Sequence, residues 1–207
     1  MRKAIVFGFL GAALLARADG GGMSDSERTY LLDQLEQSKK AMLASIDGLT
    51  EAQWKFKPAP AVWSVQECAE HIILAEGYIF SGSQQVLKTP AVERPANSNA
   101  EVDQKIVAGV QDRSKKATAP EPLVPGRKFA TPTDAVRAFT EARNKTIAYV
   151  KSTQDDLRTH VGPGPAGPMD SYQFLLLLAS HSARHTAQIR EVEANTGYPK
   201  ASAAGGF

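Results

Sequence analysis

A single cysteine, Cys68, stands among 207 residues. A lone thiol closes no internal disulfide, so the fold must be held by its core. A strong charge of one sign is also missing. The formal balance is +2, from 24 Lys and Arg against 22 Asp and Glu, which gives no field to recruit nucleic acid or an anionic membrane. Alternating apolar and polar runs are absent, which leaves no convincing strand pair. Histidine is scarce as well, at His71, His160, His181 and His185, so an imidazole site has few ways of being assembled. What is present is 43% hydrophobic content, enough for one domain with a sizeable core.

The most apolar stretch, Ala4 to Ala16, is too short to span a bilayer comfortably. It follows Arg2 and Lys3 and precedes Ala16-Arg17-Ala18, a small-x-small cleavage pattern. Residues 1–18 therefore read as a signal peptide, with a mature chain exported to the periplasm or beyond and carrying no stable membrane span. Its removal takes away Arg2, Lys3 and Arg17 and no acid, bringing +2 to −1. The alternative is a cytoplasmic protein starting at Met23, with Gly20-Gly21-Gly22 as spacer.

The remainder predicts an all-α fold of four long amphipathic helices over residues 24–199, with a tail at 200–207. The first starts at a Ser24/Glu27 capping box and runs to about Asp47, where Gly48 closes it. Leu49 to Trp54 is a short helical turn, and Pro58 and Pro60 hold the next link extended. Ser64 and Glu67 form another box and launch the second helix, to about Leu87. Thr89 to Ala130 reads as a long crossover with a short helix over Glu101 to Lys116 and a Pro-rich loop at 120–126, which lets the flanking helices run parallel. Thr131 and Pro132 open the third helix, whose inward row is Val136, Phe139, Arg143, Ile147 and Val150. Asp155 to Met169 is rich in Gly and Pro and reads as loop. Arg113-Ser-Lys115-Lys116 and Arg127-Lys128 read as solvated charges.

Asp170 caps the fourth helix, on which Phe174, Leu178, His181, His185, Gln188 and Val192 form one seam. Four residues advance a helix by about 400°, so His181 and His185 project from nearly one line and reach a single ion. Two ligands hold a metal poorly, and a third must come from His71 or His160. His71 borders the buried face of the second helix. Core histidines satisfied by hydrogen bonds are the bland alternative, which the seam position and His71 outweigh.

Trp63-Ser64-x-x-Glu67-x-x-x-His71, followed by His181-x-x-x-His185-x-x-Gln188-Ile189, resembles the DinB/YfiT-like superfamily of four-helix bundles. The similarity also takes in Leu49 to Trp54, Phe56 to Pro60, Thr153 to Leu157 and Arg184 to Gln188, and covers nearly all the chain after Met23. It implies a divalent metal held by His71, His181 and His185 at one end of the bundle. It implies no DNA binding. Its activities include thiol-dependent transferases, and dimerisation is common in it.

Three neutral imidazoles leave coordination positions open, as catalytic zinc sites do. The expectation is a metal-dependent hydrolase or thiol transferase acting on a small molecule, with zinc favoured and nickel, iron or manganese also suited to imidazole. The zinc-protease mechanism is disfavoured, because the fourth helix lacks the Glu of HExxH. The alternative is a non-catalytic ligand-binding or structural bundle in which the histidines lock two helices together. Around the trio, Glu67 is either an orienting or proton-carrying group or simply a cap. Cys68 is either a thiolate or a small buried hydrophobe. His160 lies on the pocket rim or in solvent, and Gln188 supports the site through a hydrogen bond.

Overall fold

A computed structural model describes residues 22–200 except 94, 96, 97 and 166. The expected signal segment at 1–18, and positions 201–207 of the expected tail, lie outside the described residues. The helices are α1 (Asp25–Ile46), α2 (Glu51–Lys55), α3 (Val65–Val86), α4 (Ala100–Gln111), α5 (Pro132–Ser152) and α6 (Ser171–Glu193), with a 3-10 turn at Glu121–Leu123. No described helix is long and apolar enough to cross a membrane.

Local sequence fixes where each helix starts. Reciprocal capping boxes open α1 (Ser24/Glu27), α2 (Thr50/Gln53), α3 (Ser64/Glu67) and α6 (Asp170/Gln173), while Thr131 and Pro132 open α5. Each box satisfies two backbone donors that a helix start leaves orphaned. After the α1 C-cap at Asp47, Gly48 takes φ 71, where a Cβ would be strained.

The bundle is a ring in which α1 and α3 each pack on both α5 and α6. Side-chain bonds give its directions. Gln66, near the start of α3, donates to Phe129 O just before α5, and Arg143 of α5 meets Glu76 midway along α3. These two helices therefore run parallel, as the long crossover between them allows. Tyr172 Oη donates to Glu27 O, which sets the starts of α1 and α6 side by side. Phe174, near the start of α6, lies against Gly82 toward the end of α3, whereas His185, further along α6, meets His71 near the start of α3, so α3 and α6 are antiparallel.

Two apolar clusters fill the interior. One surrounds Leu31, Leu35, Leu157, Tyr172 and Leu175 near the start of α6; the other surrounds Met42, Ile46, Trp54, Cys68, Ile72, Phe139 and Ile189 near the start of α3. Arg143, fully buried between them, donates through all three guanidinium nitrogens to Glu76, Leu35 O, Ser38 Oγ and Ser182 Oγ.

The structure departs from the sequence expectation in three places. Two short strands, β1 (Val161–Gly164) and β2 (Gly167–Asp170), pair antiparallel where loop was expected. They hold three glycines and two prolines, a composition that masks strand, and Pro163 opposes Pro168. Gly162 is required there, because a Cβ would lie 2.9 Å from Val86 Cγ2. Helix α4 ends at Gln111, not Lys116, because Asp112 turns back onto Ser114, and Arg184 of α6 binds the Val110, Asp112 and Lys115 carbonyls. Arg113 is no solvated loop charge: it pairs with Glu191 at 2.6 Å.

Candidate metal centre

Two helix starts and one return loop place the three histidines. His71 sits two turns into α3, behind the Ser64/Glu67 box, and is 3% exposed. His181 and His185 lie half-buried one turn apart on α6. Their rings stand 4.4–4.8 Å from one another, centroid to centroid. Trp63, the residue before the α3 cap, lays its ring 4.9 Å from that of His71 and 6.2 Å from that of His185.

Neighbours fix two of the tautomers. His71 Nδ1 lies 2.7 Å from Leu123 O, an acceptor only, so Nδ1 carries the proton and Nε2 presents a lone pair. His185 Nδ1 lies 2.8 Å from Gln188 Oε1, which leaves its Nε2 bare in the same way. His181 Nε2 lies 3.1 Å from His71 Nε2, while the buried His181 Nδ1 has no hydrogen-bond partner among the described residues. Burial holds His71 and His181 below the usual imidazole range, and burial followed by His71 brings His185 down to about 3. All three rings are thus neutral at pH 7, the state in which imidazole ligates.

The trio fits a divalent cation. One candidate ligand atom from each ring lies within 4.8 Å of the other two. Metal–nitrogen bonds of about 2.0–2.1 Å place two bound nitrogens about 3–3.4 Å apart. The His71–His181 separation falls in that window without a bridging proton being needed.

The loop before α5 is bound to α3 at three points. Leu123 O accepts from His71, Glu70 accepts from Gly126 N at 3.0 Å and Lys128 N at 2.9 Å, and Glu67 holds Lys57 at 2.8 Å and Arg127 at 3.5 Å. Leu123 acts through its backbone, and Glu70 gave no motif; neither carried a sequence signal. Arg113 was missed because its partners come from α6: besides Glu191 it reaches Gln188 Oε1 at 3.4 Å, the same oxygen that fixes His185. A basic residue facing a Glu and a Gln three apart on one helix was the available clue.

The remaining candidates resolve plainly. Glu67 is a cap, with Ser64 N donating to it at 2.8 Å. Cys68 is fully buried among Ile72, Trp54 and Phe139, and burial pushes its thiol up to about 12, so it is a small hydrophobe. His160 is not on the rim: its Nδ1 bonds Thr89 O beyond the far end of α3, and its backbone bridges Ala91. Gln188 takes the supporting position expected of it.

A bundle whose first and second long helices each pack on both the third and the fourth, with a long crossover between the second and third and three convergent imidazoles, defines a helical metal-site class. Comparison with known proteins narrows it: the DinB superfamily model matches residues 34–189, and the chain belongs to that superfamily. It is 25% identical over 149 residues to the Bacillus subtilis protein YuaE, covering 72% of this chain and 88% of that one. YuaE is described as uncharacterized. YfiT from Bacillus subtilis superposes with a TM-score of 0.57 over 86% of this chain and 92% of its own, at 18% identity. YfiT is described as a probable metal-dependent hydrolase with an unusual four-helix bundle topology.

Proposed function

We propose that this protein is a metal-dependent hydrolase of small molecules, with His71, His181 and His185 as ligands of one divalent cation, zinc in the first instance. The observation that carries the reading is the convergence of three neutral imidazoles, two with their outer nitrogens already committed to Leu123 O and Gln188 Oε1. A divalent cation supplies Lewis acidity and lowers the pKa of water toward neutrality. The chain supplies the rest. Leu123 O and Gln188 keep His71 and His185 in the ligating tautomer, and Trp63 walls the trio on one side. Glu67 and Glu70 stay engaged with the cap and the loop. The described fate of YfiT as a probable hydrolase supports hydrolysis over thiol transfer. Export through residues 1–18 belongs to the same proposal, because low-molecular-weight thiols are mainly cytosolic.

A panel of esters, amides and thiol–electrophile pairs, run with metal-stripped and zinc-reconstituted protein, tests it. Hydrolytic turnover that follows metal content and disappears in His71→Ala is expected. Thiol conjugation alone, or no turnover by any reconstituted form, would contradict it.

A further inference from the structure

Beside the trio the chain builds a cationic cavity that hydrolysis by itself does not require. It is an open cleft of about 440 Å³ lined by Lys55, Lys57, Ser64, Gln66, Arg127 and Ala130. The histidines do not line it, yet it adjoins them. Ser64 follows Trp63, whose ring faces His71, and Glu67, which holds Lys57 and Arg127, is one helical turn before His71.

Arg127 is the singular residue of this cavity. Among the described residues it is the one non-glycine in the left-handed region, at φ 63. A side chain with a Cβ disfavours that backbone, and such strain collects at functional sites. Its cause is visible: the amides on either side, Gly126 N and Lys128 N, donate to the two oxygens of the buried Glu70. The pinned loop places a guanidinium at the cavity with a single 3.5 Å bond to Glu67 and a side chain 65% exposed. Most of its five donors are open. Lys57 is committed to both oxygens of Glu67, and Lys55 to Glu51.

We propose that this cavity is an anion subsite, in which Arg127 receives a carboxylate or phosphate group of the substrate. The substrate class is then a small molecule that carries such an anionic group. This assignment rests on the hydrolase reading for its purpose, though not for its test.

The test titrates the full chain with inorganic phosphate and, separately, propionate, in metal-stripped and zinc-loaded forms. Binding is followed by calorimetry, and zinc uptake is measured on the same samples. Saturable binding of at least one anion to the metal-stripped form is expected. Arg127→Gly weakens it about tenfold or more, and Arg127→Lys restores part of it. Glycine adopts φ 63 freely, so Arg127→Gly holds or raises Tm, and the loss cannot be assigned to misfolding. Phosphate binding without propionate binding selects phosphate esters; the reverse selects carboxylates. No saturable binding of either anion, binding only in the zinc-loaded form, or binding indifferent to Arg127→Gly overturns the subsite. Failure of zinc uptake, by contrast, overturns the metal reading and leaves the subsite result standing.

Discussion

Two buried polar clusters mark the two ends of this bundle, and they differ in whether the protein completes them. Near the starts of α1 and α6, the fully buried Arg158 bonds Glu27, Asp103 and Asp170 through all three guanidinium nitrogens, with Tyr172 under its plane at 4.2 Å. Those carboxylates raise the Arg158 pKa further, despite its burial. Near the start of α3, the histidine trio turns the Nε2 lone pairs of His71 and His185 inward, with His181 Nε2 3.1 Å from His71 Nε2, and His181 Nδ1 has no hydrogen-bond partner among the described residues. A saturated cluster is a structural element, whereas an unsaturated one has a position to fill. Arg143, midway, belongs to the saturated kind.

This contrast predicts opposite responses to mutation. Arg143→Leu leaves Glu76 buried and unpaired, so unfolding stability should fall by about 3–5 kcal/mol, read by urea denaturation. An effect under 1 kcal/mol would show that the saturated cluster does not hold the fold. Gln188→Leu frees the His185 tautomer and should weaken zinc affinity about 10–100-fold in a competition titration, with little change in stability. Unchanged affinity would remove Gln188 from the site.

The pH response sharpens the comparison further. His185 at about 3 lies below its unfolded value, so the unfolded chain takes up the proton first as pH falls. The neutral ring's contribution is present above about pH 6.5 and is lost progressively toward pH 3. Metal-free wild type should therefore lose stability relative to His185→Leu as pH falls from 7 to 5; parallel curves would contradict the depressed value. The smallest effect belongs to His181→Leu. The substitution removes one unpartnered buried nitrogen together with the 3.1 Å contact to His71 Nε2, so metal-free stability should change by no more than about 1 kcal/mol, in either direction. A loss comparable with that of Arg143→Leu would mean that the trio is structural.

Much of this was legible in the sequence, and the exceptions have a common cause. Capping pairs such as Ser64/Glu67 are local patterns and reappear in the fold, whereas the seam of α6 does so in part: Phe174, Leu178 and Val192 are buried, His181, His185 and Gln188 are half-buried, and Ser182, Thr186 and Ile189 are the buried residues between them. The inward position of Arg143 could also be read from helical spacing, but not Glu76 and Ser182, its partners on two other helices. The pairing of β1 with β2 was hidden because its glycines and prolines satisfy close packing instead of strand preference. At the site, His71, His181 and His185 were readable from spacing and resemblance. Leu123 O and Arg113 were not, since both reach the site by tertiary return of the crossover.

Metal content by elemental mass spectrometry tests the central claim most directly, on wild type, His71→Ala and His181→Ala after reconstitution and desalting. About one divalent ion per wild-type chain, lost in both variants, is the predicted result. No retained metal after exposure to zinc, nickel, iron and manganese, or retention undiminished in both variants, would contradict it.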